Sequence, residues 1–224
     1  MQSSSETAVE HNARLSCSRR PIGGAAKRVV DMVVAFAAII ALIPLLVGCC
    51  VVVLATSPGP IFFRHRRIGF EGREFGCLKF RTMVVDAERK LLEHLANDLD
   101  ALHEWRSVQK LRNDPRVTPI GHFLRRTSLD ELPQLFNVIM GDMSIVGPRP
   151  ITPQEIKKYK EHFRGYTNAR PGITGLWQVN GRTSTTYAER VAYDLEYVHN
   201  WSLVRDLRIM CVTIVRMLDG SGAY

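Results

Sequence analysis

The longest run of apolar positions covers residues 32–55, which carry no charge, in a chain whose mean hydropathy is only -0.06. At about 1.5 Å per residue, a helix of that length could cross a bilayer core of about 30 Å. Pro44 sits in its middle, where it removes a backbone N–H and crowds the preceding turn. Both flanks are basic: Arg14, Arg19, Arg20, Lys27 and Arg28 precede the run, and Arg64, Arg66, Arg67 and Arg73 follow it. A simple span puts its positive flank on the cytoplasmic side alone. A helix that dips in, breaks at Pro44 and returns keeps both flanks cytoplasmic, each half being about 16–18 Å long. The pattern favours this re-entrant form and leaves a full span open.

Beyond the apolar run the periods shorten and alternate. Ser57-Pro58-Gly59-Pro60 is a turn cluster. A short strand at 61–63, a turn at Glu71-Gly72-Arg73 and a returning strand over 75–83 follow. In the second strand Leu78 and Phe80 alternate with Lys79 and Arg81, so one face is apolar and the other cationic. Leu91, Leu92, Leu95, Leu99 and Leu102 recur at helical spacing and predict an amphipathic helix over 87–112, broken by Asn113-Asp114-Pro115-Arg116. Ser128 stands three residues before Glu131, a capping-box spacing that predicts a helix start, and that helix runs to Met140 and stops at Gly141. Residues 154–163 read as an exposed helix, 170–182 as a glycine-rich loop leading into a strand, and 187–199 as a helix. Residues 201–218 are apolar with Arg205, Arg208 and Arg216 interspersed; they suit a core helix or, with a membrane segment already present, an interfacial one.

These elements predict an α+β, mainly helical fold: a re-entrant membrane helix hairpin plus a small cytoplasmic domain with short strands and interfacial amphipathic helices. The expected division is a mobile polar tail at 1–26, a membrane-inserted segment at 27–57 and the domain at 58–224. No apolar run begins near Met1, so a cleaved signal peptide is not expected.

Charge narrows the partners. The 224 residues carry a formal charge of +8, which calls for anionic partners: phosphates, anionic lipid or nucleic acid. Cys17, Cys49, Cys50, Cys77 and Cys211 form no C-x-x-C pair, so a reducing compartment is expected and a structural metal is not. The seven histidines show no i, i+4 metal pair, and neither a Walker A nor a Rossmann fingerprint is present.

The strongest candidate chemistry lies within residues 125–150. Asp130 and Glu131 follow Arg125 and Arg126, in what the capping box makes a first helical turn. Exposed backbone N–H groups there favour anions, so a carboxylate stays ionised and can serve as metal ligand or nucleophile; the same pair would also simply complement the helix dipole. In Gly147-Pro148-Arg149-Pro150, two prolines fix the backbone around Arg149, which suits an arginine that meets phosphate in set geometry. Lys79 and the glycine-rich 170–182 stretch, with Thr174, Gln178, Asn180 and Arg182, are further ligand-facing candidates.

Four motifs, in order, resemble the bacterial sugar transferases, the monotopic polyprenyl-phosphate phosphoglycosyl transferases. They are Lys79-Phe80-Arg81-Thr82-Met83, the stretch from Ser128 to Asn137, the stretch from Gly141 to Pro150, and the stretch from Arg170 to Arg182. The resemblance extends from about Lys27 to Tyr224, and the short length is similar to members that begin exopolysaccharide synthesis with galactose 1-phosphate. It implies transfer of a sugar 1-phosphate from a UDP-sugar, expected to be UDP-galactose, to undecaprenyl phosphate, with release of UMP. It further implies that Asp130 attacks phosphorus and forms a covalent phosphosugar intermediate, that Glu131 assists, that Arg125, Arg149 and Lys79 meet the phosphates, and that Mg²⁺ is a cofactor with Asp130 as a ligand. The nucleotide sugar would lie near Thr174, Gln178, Asn180 and Arg182. The expected location is the bacterial inner (cytoplasmic) membrane, with the catalytic domain on the cytoplasmic side against membrane lipid. The family's helix break is often Ser-Pro, and here it is Ile43-Pro44. A basic module that only binds anionic lipid or nucleic acid also meets the charge, but the ordered motifs favour the transferase, and nucleic acid is not expected as a partner. A homodimer stays open.

Overall fold

The computed structural model of the chain describes residues 20–108, 110–180 and 185–218. It is mainly helical, with four short strands among the described residues. Helix α1 (Gly24–Thr56) takes in the apolar run and begins before it. It continues through Pro44 rather than dividing there. Proline deletes one intrahelical bond, and the turns on either side supply the rest. This is the one helix among the described residues long and apolar enough to cross a membrane, and only 11% of its most apolar window is buried, unlike the core helix of a soluble protein.

Strands β1 (Phe62–Ile68) and β2 (Glu74–Phe80) form a two-stranded sheet. Arg64-His65-Arg66-Arg67 therefore lies on a strand. The amphipathic stretch becomes two helices, α2 (Ala87–Asn97) and α3 (Leu99–Val108), separated at Asp98, whose backbone is extended. Leu92 and Leu99 are exposed, so the leucine stripe is not one packing face. Then come α4 (Pro119–Arg126), a 3₁₀ turn at Leu129–Glu131, and α5 (Gln134–Met140). Gly141, with φ 94, ends α5 as expected. Strand β3 (Ser144–Val146), short helices α6 (Ile156–Tyr159) and α7 (Phe163–Thr167), strand β4 (Gly172–Thr174) and helix α8 (Leu176–Asn180) lead to α9 (Tyr187–His199) and α10 (Leu203–Leu218). The 154–163 stretch is thus broken and partly interior, with Tyr159 2% exposed, and 176–180 is helix instead of strand.

The chain groups into two units. Residues 20–41, 64–78 and 134–218 make the first, and residues 42–63 and 79–133 the second. In the first, β3 and β4 pair in parallel, with Ser144 opposite Gly172 and Val146 opposite Thr174. Ile68, Ile151, Tyr159, Tyr166 and Val191 form an apolar core. Beside β3 lies a buried charge network that the apolar pattern did not reveal. Lys27 Nζ donates to Asp206 Oδ2 at 2.7 Å, and Tyr197 and Trp201 donate to the same carboxylate. Asp31 accepts from Ser144 Oγ and from the Ile145 backbone N–H. These bonds pin the start of α1 to β3 and α10. In the second unit Leu46, Cys49 and Val53, one face of α1, pack with Phe80 and Leu124. Phe62 stacks on Phe80 with ring centroids 5.5 Å apart.

Candidate active site

The second unit builds its site on the short stretch between α4 and α5. Thr118 caps α4: its Oγ1 accepts from the Gly121 backbone N–H at 3.0 Å, with Pro119 in the first turn. Gly121 lies so close to Thr82 that a Cβ there would collide with the Thr82 carbonyl. This close approach lets Arg125, one turn further along α4, donate from Nε to Thr82 Oγ1 at 2.9 Å. Helix α4 ends at Thr127, and Ser128 takes the left-handed conformation with φ 56 and ψ 15. Its side chain makes no cap bond, so the expected capping box is absent. A reversed backbone at Ser128 turns the chain sharply and cannot present a cap hydroxyl to the turn that follows. Leu129–Glu131 close as a 3₁₀ turn, and Pro133, lacking an N–H, separates that turn from α5.

The turn buries Asp130, 8% exposed, and leaves Glu131 half-buried. Lys79 reaches both from β2. Its Nζ donates to Glu131 Oε1 at 2.6 Å and lies 3.8 Å from Asp130 Oδ2. Burial pushes the Asp130 carboxyl above its ordinary range; Lys79 pulls it down, Glu131 pushes it up and Arg125 pulls it down again. The expectation that a helix start keeps Asp130 ionised is therefore corrected. Burial opposes ionisation, and the two cations favour it. Burial also lowers the Arg125 pKa, while the Asp130 charge raises it.

Arg125 also walls a cleft of about 790 Å³, lined by Lys110, Arg112, Arg116, His122 and Arg126 among others. Asp114 is the one carboxylate on that lining, and Arg116 holds it in two bonds of 2.8 and 2.7 Å. The cleft is strongly cationic and suits a di-anionic or more highly charged ligand. Sequence reasoning named Arg125 and passed over the others, although their clustering on both sides of Asn113-Asp114-Pro115 is visible in the chain.

Lys79, Arg125, Asp130 and Glu131 thus belong to one unit and meet. Arg81, the other cation of the β2 face, does not join them: it is 7% exposed and donates to the Ser57 carbonyl. The remaining candidates lie in the first unit. The Arg149 guanidinium lies over the Trp177 ring, 5.2 Å from its centroid, and the Arg149 backbone N–H donates to buried Asp194. Thr174 is buried with its hydroxyl against Thr213 at 2.8 Å, and Gln178 Nε2 donates to the Ile173 carbonyl. Both side chains serve the packing of α8 and α10. Asn180 is exposed, and Arg182 lies outside the described residues.

A family profile described as bacterial sugar transferase matches residues 22–220. The chain belongs to that family. The exopolysaccharide production protein ExoY of Sinorhizobium fredii is 49% identical over 205 residues, covering 92% of this chain and 91% of that one. The undecaprenyl-phosphate galactose phosphotransferase of Salmonella typhimurium is 46% identical over 198 residues, 88% of this chain and 41% of that one. The UDP-glucose:undecaprenyl-phosphate glucose-1-phosphate transferase of Xanthomonas campestris is 44% identical over 207 residues, 89% of this chain and 40% of that one. The chain therefore spans nearly all of the first relative and about two-fifths of the other two.

Proposed function

We propose that the protein transfers a sugar 1-phosphate from a UDP-sugar to undecaprenyl phosphate in the cytoplasmic membrane, as the first membrane step of exopolysaccharide synthesis. The observation that carries this reading is the buried Asp130 carboxylate beside Lys79 and Arg125. A carboxylate oxygen of Asp130 attacks the phosphorus that bears the sugar. The new bond is a mixed anhydride, and the bond to the UMP oxygen breaks with its electron pair on UMP. The phosphate oxygen of the lipid then attacks the same phosphorus and returns the electron pair to Asp130. Lys79 and Arg125 offset the repulsion between carboxylate and diphosphate. Glu131 holds Lys79 between the two acids. The cationic cleft beside Arg125 takes the nucleotide end of the donor.

Asp130, 3.8 Å from Lys79 while Glu131 takes that lysine's close bond, fits Mg²⁺, which is held in proteins by one or two carboxylates together with substrate oxygens and water. When bound, it would neutralise charge on the diphosphate and favour UMP as leaving group. Both galactose and glucose are named among the relatives' substrates. Galactose is the sugar proposed here, because the relative named for it is the more similar of the two, 46% identical against 44%.

Purified protein given Mg²⁺, a polyprenyl phosphate and each UDP-sugar in turn should release UMP fastest with UDP-galactose. Without lipid acceptor, label from the sugar should stay on wild-type protein and not on Asp130→Asn. Full turnover in Asp130→Asn would remove the assignment, and turnover without trapped label would replace the covalent route by direct transfer. For topology, single cysteines at Arg20 and Arg64 should label from the same side of a vesicle. Labelling from opposite sides would make α1 a full span.

A further inference from the structure

In the second unit, the turn that leaves α1 has few donors of its own. Pro58 and Pro60 lack a backbone N–H, so they cannot help to close Ser57-Pro58-Gly59-Pro60. One residue bridges the turn from outside. Arg81 Nη2 donates to the Ser57 carbonyl, at the start of the turn. The Arg81 backbone N–H donates to the Ile61 carbonyl, just after it, at 2.8 Å. Gly59 leaves the guanidinium room. Its φ is 117, in the left-handed region, and a Cβ there would collide with Arg81 Nη1.

Packing alone would not select this clamp. Arg81 and Ser57 are both buried, and Arg81 Nε and Nη1 have no hydrogen-bond partner among the described residues. Unpaired buried donors are destabilising, and an apolar side chain of similar length would fill the space without them. What such a side chain could not make is the bond to Ser57. The clamp also stands next to the active-site lysine. Lys79 precedes Arg81 by two residues and spans from β2 to Glu131 and Asp130. On the other side, Thr82 is moored separately. Its carbonyl accepts from the Thr118 backbone N–H at 3.0 Å, and its hydroxyl accepts from Arg125. Release of Arg81 therefore bears on Lys79 more than on Arg125.

We infer that Arg81 is a positioning residue: by clamping the turn that leaves α1, it fixes the end of β2 and with it the reach of Lys79 to Asp130 and Glu131. The inference rests on the proposed transfer reaction for its readout, the release of UMP by the full chain in detergent with UDP-galactose, Mg²⁺ and a polyprenyl phosphate. Arg81→Met, which keeps the length and removes the donors, should lower kcat about tenfold, the scale of a small misplacement of a charge-stabilising group. Arg81→Lys keeps a donor that can reach Ser57 and should restore most of that rate. In a Lys79→Met background, Arg81→Met should change kcat by no more than about twofold, because the group it positions is already gone. A merely structural role predicts the opposite, two losses that multiply, and that result would overturn the inference. So would a wild-type kcat in Arg81→Met, or an Arg81→Lys as slow as Arg81→Met. Should Arg81→Met fail to fold, Gly59→Ala replaces it, since the added methyl pushes the guanidinium off Ser57; the same loss, and the same silence beside Lys79→Met, are expected. Full turnover in Asp130→Asn would sink the proposed reaction and leave the coupling of Arg81 to Lys79 to be read from the double variant. An inactive Asp130→Asn with multiplying losses at Arg81 and Lys79 would sink this inference alone.

Discussion

Asp130 in the second unit and Asp206 in the first are both buried aspartates beside a lysine, yet their surroundings differ in kind. Asp206 accepts from Lys27, Tyr197 and Trp201, so both of its oxygens are occupied. Asp130 has Lys79 no nearer than 3.8 Å, while Glu131 takes the close bond from that lysine. A saturated carboxylate is a fastener, because any displacement leaves buried donors unpaired. An undersaturated one feels its cations as field more than as contact, and it retains lone pairs for chemistry. Under the proposed reaction, the contrast separates a group that holds the fold together from the one that reacts.

The largest effect expected from this contrast is on rate. Asp130→Asn should lower UMP release by about 1,000-fold or more, because the attacking oxygen pair is lost, while the thermal unfolding midpoint stays near wild type. A variant that lost both together would place Asp130 with the fasteners. Next in size is stability. Asp206→Ala should cost about 3–5 kcal/mol in denaturant unfolding, since Lys27 is left buried and unpaired. A fully stable Asp206→Ala would remove the distinction from the other side.

Lys79→Met sharpens the comparison within the active site. It should slow UMP release by about 100-fold, the scale seen when a charge-stabilising donor is removed. Lys79 lowers the Asp130 pKa, so its removal should also move the acid limb of the pH–rate profile to higher pH. The wild-type limb should itself lie above the ordinary value of 3.8, because burial raises Asp130.

The smallest expected effect concerns Asp194, whose pKa burial pushes up to about 7 from 3.8. The folded protein then binds this proton more tightly than the unfolded chain. Its contribution to stability is greatest below pH 3.8 and is lost as pH rises toward about 7. Unfolding of Asp194→Asn, followed by denaturant titration across that range, should show a correspondingly flatter pH dependence. An unchanged slope would mean that Tyr159 and the Arg149 N–H keep Asp194 ionised throughout.

Much of this molecule is legible in local pattern. The apolar run predicts α1, the glycine at 141 ends α5, and the periodic stretch at 187–199 is a helix with those bounds. The family resemblance implies a shared phosphate site for Asp130, Glu131, Lys79 and Arg125, and the structure joins all four in one unit. What local pattern could not supply is burial and partnership. Lys79 and Arg81 look alike on one strand face, but one meets the acids and the other a turn carbonyl. Ser128 reads as a cap and is instead a left-handed turn. Lys27 and Asp206 are 179 residues apart, and nothing in their neighbours announces the bond.

By itself, then, the sequence determined where the chain is apolar, where helices stop, and which residue types stand ready for phosphate chemistry, because those depend on neighbours within a few turns. Tertiary structure decided which carboxylate is saturated and which is not. Desolvation and hydrogen-bond partners come from segments far along the chain, and they set the charge state and freedom of each buried acid.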